Sequence, residues 1–109
     1  MDEIKSVVSC ISGHRSQKCY EVLFFAVWVA CEHQPREPSM NFIVAETCKL
    51  LGGRSSKASS KALSRAARDI WDFGDRRELE KIYGRPVPSP PTPRELVLQI
   101  SQFVCSQRP

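Results

Sequence analysis

The segment from Gln17 to His33 constrains the fold more than any other part of the sequence. Apolar side chains occur almost all round a helix drawn through it, at Tyr20, Val22, Leu23, Phe24, Phe25, Val27, Trp28, Val29 and Cys31. A membrane-spanning helix needs about 20 apolar residues, whereas this run is shorter and carries Glu21 and Glu32 near its ends. A helix that is apolar on every side is usually buried among other elements. We therefore predict the central helix of a small bundle, with its aromatic stripe in the core and no membrane partner.

Helical signals recur along the rest of the chain. We predict helices, in chain order, over residues 2–11, 17–33, 40–51, 56–71, 76–83 and 93–106. Ser39, Asp75 and Thr92 stand where an N-cap side chain is favoured. Glu78 and Glu95 follow the last two caps by three residues, as in a capping box. These local signals agree with one another in placing the helix starts.

Length and composition fit one globular domain. The chain has 109 residues, of which 41% are apolar and 26% charged, and this is enough for a single core in an ordinary soluble protein. No stretch alternates apolar and polar residues as a half-buried strand would. The sequence thus predicts an all-α, six-helix single domain over residues 1–109, with its core within 15–106.

Two of the predicted helices flank a short glycine turn. Gly52 and Gly53 end the helix 40–51, because glycine tolerates the left-handed conformation found at helix C-termini. The next helix begins directly afterwards, which is the layout of a helix-turn-helix, here over about 40–72. The first of the two helices is expected to bury Phe42, Ile43, Ala45, Cys48 and Leu50 or Leu51.

The second helix of this pair has an apolar face and a basic face, and Ser55 or Ser56 is its N-cap. Helical spacing places the apolar side chains together on one face, namely Ala58, Ala62, Leu63, Ala66, Ala67, Ile70 and Trp71. The opposite face carries Lys57, Ser60, Lys61, Ser64, Arg65 and Arg68. No acidic residue occurs between Arg54 and Arg68. A helix that is slim at its start and basic in front suits a major groove about 12 Å wide.

These features predict a set of DNA-binding residues: Arg54, Ser55, Lys57, Ser60, Lys61, Ser64, Arg65 and Arg68. Lys57 and Lys61 lie near the helix start, where such helices meet base edges. Arg65 and Arg68 are expected on flanking phosphates. The alternative is that the basic face is an ordinary solvent-exposed helix surface and binds no partner.

The positive charge of the chain is concentrated around this helix. The net charge is +4. Residues 1–53 have a net charge of −1, with five basic and six acidic side chains. Residues 54–85 have +4, with nine basic and five acidic, and residues 86–109 have +1. A local basic excess is the electrostatic footprint expected for phosphate binding.

The five cysteines predict neither a metal site nor a disulfide framework. They are Cys10, Cys19, Cys31, Cys48 and Cys105. Their number is odd, no two form a C-x-x-C, and His14 and His33 complete no zinc spacing. The acidic start at Asp2 and Glu3 is unlike a signal peptide. We therefore predict reduced, mostly buried thiols in a cytoplasmic protein without a cofactor.

At this point several short motifs show a resemblance to a known family. They are Lys18-Cys19-Tyr20-x-x-Leu23, the helix from Ala58 to Trp71, Trp71-x-x-Gly74-Asp75, Ile82-Tyr83-Gly84 and Pro91-Thr92-x-x-Glu95. In this order and spacing, the chain resembles the C-terminal DNA-binding effector domains of the stage-zero sporulation regulators of endospore-forming Firmicutes. The resemblance covers most of residues 15–105. It implies six helices with an embedded helix-turn-helix, and a regulator that binds double-stranded DNA, often as two domains side by side on tandem sites.

The recognition helix departs from the family pattern. A family serine falls on Lys57, a glutamate on Ser60, one key arginine on Lys61, a second on Ser64, a histidine on Arg65 and a glutamate on Arg68. Arginine reads guanine through a two-pronged fork, which lysine and serine lack. The family's own DNA site is therefore not expected to carry over, while phosphate contact is favoured. The family's receiver domain would precede residue 15, so control by phosphorylation within this chain is not expected.

Three functions remain to be compared. The first is a sequence-specific DNA-binding transcriptional regulator, and the second is a protein-interaction module on the same fold that modulates another regulator. The third is an enzyme, which the sequence disfavours because it has no nucleophile–base set, no paired carboxylates and no glycine-rich phosphate loop. No small-molecule substrate is expected.

Overall fold

The computed structural model describes residues 2–13, 18–34, 36, 38–53 and 55–107. Within these ranges the chain forms six α-helices and no strand. The helices are α1 (Asp2–Ile11), α2 (Cys19–Glu32), α3 (Met40–Leu50), α4 (Ser56–Phe73), α5 (Arg76–Tyr83) and α6 (Pro93–Gln107). The predicted all-α class is confirmed.

The predicted central helix is α2. It packs against α1, α3, α4 and α6, and nine of its side chains are buried. Tyr20, Val22 and Val27 are fully buried, whereas Phe24 and Trp28 are half-buried at the rim of the core. None of the described helices combines the length and apolarity needed to cross a membrane.

The three predicted N-cap side chains accept the expected hydrogen bonds, but only one of the two predicted capping boxes is complete among the described residues. The Ser39 hydroxyl accepts from the backbone N–H of Phe42 at 3.2 Å. The Asp75 carboxylate accepts from the N–H groups of Arg77 and Glu78. At the start of α5 the Glu78 carboxylate accepts from Lys81 instead of returning to the Asp75 N–H. At the start of α6 the Thr92 hydroxyl accepts from the Glu95 N–H, and the Glu95 carboxylate accepts from the Thr92 N–H. This reciprocal pair is a complete capping box.

The first helix extends the core beyond the predicted start at residue 15. Ile4, Val8 and Ile11 of α1 are fully buried. They belong to the same apolar cluster as Leu96 and Ile100 of α6. Because α1 packs on α2, α5 and α6, residues 2–11 are part of the domain core.

The prediction for the buried face of α3 was partly wrong. Ile43 and Cys48 are buried as expected, but Phe42 is 38% exposed and Ala45 is exposed as well. Of the two alternatives at the helix end, Leu50 is 45% exposed, whereas Leu51 is half-buried against the core. Val44 and Thr47 take the inner positions instead. Thr47 can lie in the core because its hydroxyl donates to the Ile43 carbonyl at 2.7 Å, which satisfies the polar group within its own helix. The prediction placed the side of α3 with the larger apolar residues in the core, because residue spacing alone does not show which side a neighbouring helix covers.

The orientation of α4 gives a direct stability prediction from two neighbouring residues. Leu63 is 1% exposed and Ser64 is exposed. Leu63→Ala should lower the free energy of unfolding by about 2–5 kcal/mol, because it leaves a cavity in the core. Ser64→Ala, the matched control, should change it by less than about 0.5 kcal/mol. Urea unfolding followed by circular dichroism measures both, and equal losses would contradict this orientation.

Candidate nucleic-acid interface

The turn between α3 and α4 is set by two glycines in the left-handed region, Gly52 with φ 78° and Gly53 with φ 88°. The Gly53 N–H donates to the Cys48 carbonyl at 2.9 Å, and the Gly52 N–H donates to the Lys49 carbonyl at 3.3 Å. These two bonds form a Schellman motif, which ends α3 and reverses the chain. The predicted role of the glycines is confirmed, since other residues rarely adopt such φ values.

The N-terminus of α4 begins immediately after this turn. Of the two possible caps, Ser55 is the N-cap, and its hydroxyl accepts from the Ala58 N–H at 3.1 Å. One turn further on, Ser59 is fully buried and its hydroxyl lies 3.3 Å from the Cys48 sulfur of α3. The small Ser59 side chain therefore fixes how closely the two helices of the pair approach.

Ser59 also explains a correction to the predicted apolar face. Ala58 was expected behind the helix, but it is exposed, and Ala62 is half-buried. At its start α4 packs on α3 through Ser59. The buried position there is therefore Ser59, the residue that follows Ala58. Further along α4, the predicted inner positions are buried in the core, namely Leu63, Ala66 and Ile70.

A buried hydrogen bond joins the other end of α4 to α2. The Tyr20 hydroxyl donates to the Asp69 carboxylate at 2.5 Å. Tyr20 is fully buried and Asp69 is 8% exposed. Burial and this hydrogen bond raise the pKa of Tyr20 far above its ordinary value. No local sequence pattern indicates this contact, because a lone carboxylate on a charged helix gives no sign that it points inward.

The structure places the predicted DNA-binding side chains on one open surface. All of those it describes are exposed: Ser55, Lys57, Ser60, Lys61, Ser64, Arg65 and Arg68. Arg54 lies outside the described residues. Four cations follow the helical spacing i, i+4, i+8 and i+11, so they share one side of α4. We call this side the basic face, formed by Lys57, Lys61, Arg65 and Arg68.

The cations of the basic face differ in their surroundings. The Arg68 guanidinium lies 3.7 Å from the Asp72 carboxylate, one turn further along α4. Both side chains are largely in solvent, so this ion pair is weak. Among the described residues, Lys57, Lys61 and Arg65 form no ion pair with a carboxylate. The cations of the basic face that have no carboxylate partner in the described part of the chain therefore lie in the first three turns of α4.

One further cation, Lys18, joins this surface from another helix. It stands at the N-cap position of α2 and is exposed. With Lys61 and Arg65 it lines a surface groove of about 260 Å³. Sequence reasoning missed Lys18 as a site residue, because about forty positions separate it from α4 and only the packing of α2 on α4 brings them together.

The described residues bring no cluster of potential metal ligands together. This part of the chain contains no group of three or more histidine, cysteine, aspartate or glutamate side chains that could hold a metal ion. Cys19, Cys31 and Cys48 are buried, Cys105 is half-buried and Cys10 is exposed. The Cys31 thiol donates to the Ser101 carbonyl of α6 at 3.8 Å, and the Cys48 thiol lies 3.3 Å from the Ser59 hydroxyl of α4, so these thiols pack between helices as small side chains would.

Comparison with protein-family models, curated proteins and solved structures finds no match to this chain. The function has therefore to be inferred from the chain's own residues and their geometry.

The link between α2 and α4 can be tested with the two tyrosines of the chain. Tyr20→Phe should lower the free energy of unfolding by about 1–3 kcal/mol, because a buried carboxylate loses a donor. Tyr83 is the matched control, since its buried hydroxyl has no hydrogen-bond partner among the described residues. Tyr83→Phe should be neutral or slightly stabilising. Chemical denaturation measures both changes, and equal effects would argue against the Tyr20–Asp69 bond.

The same pair predicts how stability responds to alkaline pH. Burial raises the pKa of Tyr83 to about 12, and the pKa of Tyr20 is raised further. The unfolded chain loses these protons near pH 10, before the folded chain does. The stabilisation is therefore complete below about pH 10 and is lost as pH rises towards the folded pKa values. Tyrosinate absorbance should stay low in the native protein at about pH 11 and appear on unfolding; ordinary titration near pH 10 would contradict the burial.

Proposed function

We propose that this chain is a DNA-binding transcriptional regulator that uses α3 and α4 as a helix-turn-helix, with α4 as the recognition helix in the major groove. The observation that carries the proposal is the basic face, a row of exposed cations on a helix whose opposite side is fixed to the core. The partner is double-stranded DNA, without a cofactor or a small-molecule substrate.

The length of the basic face supports this assignment. Lys57 and Arg68 are eleven residues apart, which corresponds to about 17 Å along a helix axis. Recognition helices contact base edges mainly through their N-terminal residues, so the far end of the row is expected beside the base edges, at the sugar–phosphate backbone. We assign Lys57 and Lys61 to bases near the start of α4, and Arg65 and Arg68 to flanking phosphates.

The short side chains between the cations also fit close approach to DNA. Ser60 and Ser64 are exposed on the same side of α4. Their small size lets the helix backbone seat near the base edges, and each hydroxyl can donate to or accept from a base. A solvated surface helix would not need small residues at these positions.

The distribution of carboxylates favours an anionic partner as well. Asp69 follows Arg68 directly in the sequence, yet its side chain is turned into the core, where it accepts from Tyr20. Asp72 is exposed, but it lies beside Arg68 at the far end of the row. The start of α4 is therefore free of negative charge within the described residues.

The resemblance to the sporulation effector domains extends the proposal to assembly. In that family two domains often bind side by side on tandem sites, and we propose the same for two copies of this chain in the cytoplasm. The altered residues on α4 imply a DNA sequence different from that of the family.

A second candidate function is favoured by a separate surface. Phe42 and Leu50 are 38% and 45% exposed on α3. Leu50 lies at a surface depression that is also lined by Trp28 and Glu46. Exposed aromatic and aliphatic side chains are typical of protein contacts. A module that binds another regulator would use this side of the molecule, and DNA affinity would then be independent of the basic face.

The DNA proposal predicts two classes of alanine variant. Arg65→Ala should weaken binding to every duplex alike, and the slope of log affinity against log salt should fall by about one, because one phosphate contact is lost. Lys61→Ala should cost about 1–3 kcal/mol and relax the preference at one base position. Fluorescence anisotropy with labelled duplexes, over a range of salt concentrations, separates the two classes.

Lys81→Ala is the matched control, because it removes a lysine from α5 that pairs with Glu78 at 3.0 Å. It should leave DNA affinity unchanged. If Lys61→Ala and Arg65→Ala also leave affinity unchanged while the circular dichroism spectrum stays helical, the basic face is only solvated. The protein-interaction function would then replace the DNA-binding one.

A further inference from the structure

The groove between the start of α2 and α4 combines charge with open space. Its cationic side chains are Lys18 from α2 and Lys61 and Arg65 from α4. Between them lie Ala58 and Ala62, whose methyl groups leave a volume of about 260 Å³ open at the surface. Three cations therefore converge on a hollow that no larger side chain fills.

No anionic side chain among the described residues lines this hollow. The Asp69 carboxylate of α4 does not line the groove; it is buried and accepts a hydrogen bond from the Tyr20 hydroxyl. The Cys19 thiol also lines the groove, but burial and the nearby Asp69 raise its pKa, so it stays neutral. Arg65 lines the same groove, and its charge acts on the pKa of this thiol in the opposite direction.

We propose that this groove binds one backbone phosphate of a DNA duplex, held by Lys18 on the α2 wall and Arg65 on the α4 wall. This inference rests on the proposed function and adds Lys18 to the DNA-contacting residues. Lysine and arginine donate charge-assisted hydrogen bonds to phosphate oxygens. The groove lies beside the basic face, where a phosphate at the edge of the major groove would be placed when α4 reads bases.

The contact also gives α2 a part in positioning the recognition helix. A phosphate shared by two helices fixes the angle and depth of α4 relative to the duplex, without reading its sequence. The Tyr20–Asp69 hydrogen bond joins the same two helices, so the two walls of the groove are held together before DNA binds.

Lys18→Ala tests the proposal with a duplex of mixed sequence. The slope of log affinity against log salt should fall by about one. The affinity lost through the substitution should therefore be about eightfold larger at about 0.1 M salt than at about 1 M, as expected for one lost phosphate contact. The loss should be equal on mixed and selected sequences. The Lys18 side chain forms no cap hydrogen bond in α2, so the variant should fold normally, which circular dichroism checks. Lys5→Ala on α1 is the control and should change neither quantity.

Two further variants distinguish phosphate binding in the groove from a general effect of positive charge on DNA affinity. Lys18→Arg should retain the salt slope, because a cation remains on the α2 wall. Ala58→Met leaves the net charge unchanged but fills the hollow, and it should weaken binding on every duplex. Since Ala58 is exposed, the core is not disturbed.

The outcomes distinguish this inference from the function on which it rests. If Lys18→Ala and Ala58→Met leave binding unchanged while Arg65→Ala weakens it, the groove assignment is wrong and the DNA-binding function stands. If Lys18→Ala alters the preference at one base position only, Lys18 reads a base and the phosphate assignment is overturned. If Lys18→Ala, Lys61→Ala and Arg65→Ala all bind as the unchanged protein does, both proposals fail.

Discussion

The packing of α4 on α2 determines which side of the basic helix faces outward. Near its C-terminal end, Asp69 accepts a hydrogen bond from the buried Tyr20 hydroxyl at 2.5 Å. At its start, Ser59 contacts Cys48 of α3 at 3.3 Å. A buried carboxylate is costly unless it is hydrogen-bonded, so a rotation of α4 that exposed Tyr20 or left Asp69 without a donor would be disfavoured. These two polar contacts specify one orientation, whereas apolar packing alone would tolerate several.

This orientation separates the charges of α4. The helix carries Asp69 within one residue of Arg68, yet one points to the core and the other to solvent. The outward side is thus more basic than the sequence of the helix suggests, even though the net charge of the chain is only +4. Lys18 adds to this field from α2 because the two helices pack together. A localised field of this kind attracts phosphate more strongly than the same charge spread over the surface.

The parts of the structure predicted from sequence are those encoded by neighbouring residues. The cap at Thr92 and Glu95 and the turn at Gly52 and Gly53 depend on contacts within a few positions, so local chemistry specified them. The buried positions of α3 were less predictable, because an amphipathic pattern does not say which neighbour each side of a helix meets. The position of Lys18 beside α4 and the inward orientation of Asp69 depend on contacts between residues more than forty positions apart, and no local pattern indicates them.

The central claim is that α4 reads DNA through its exposed basic face. Unbiased selection of bound duplexes from a random-sequence pool tests it most directly, because it assumes no target site. If α4 reads bases, a defined motif should be enriched, with relaxed preference at one position when the selection is repeated with Lys57→Ala. A pool that stays random, with a protein whose circular dichroism spectrum is fully helical, would contradict it.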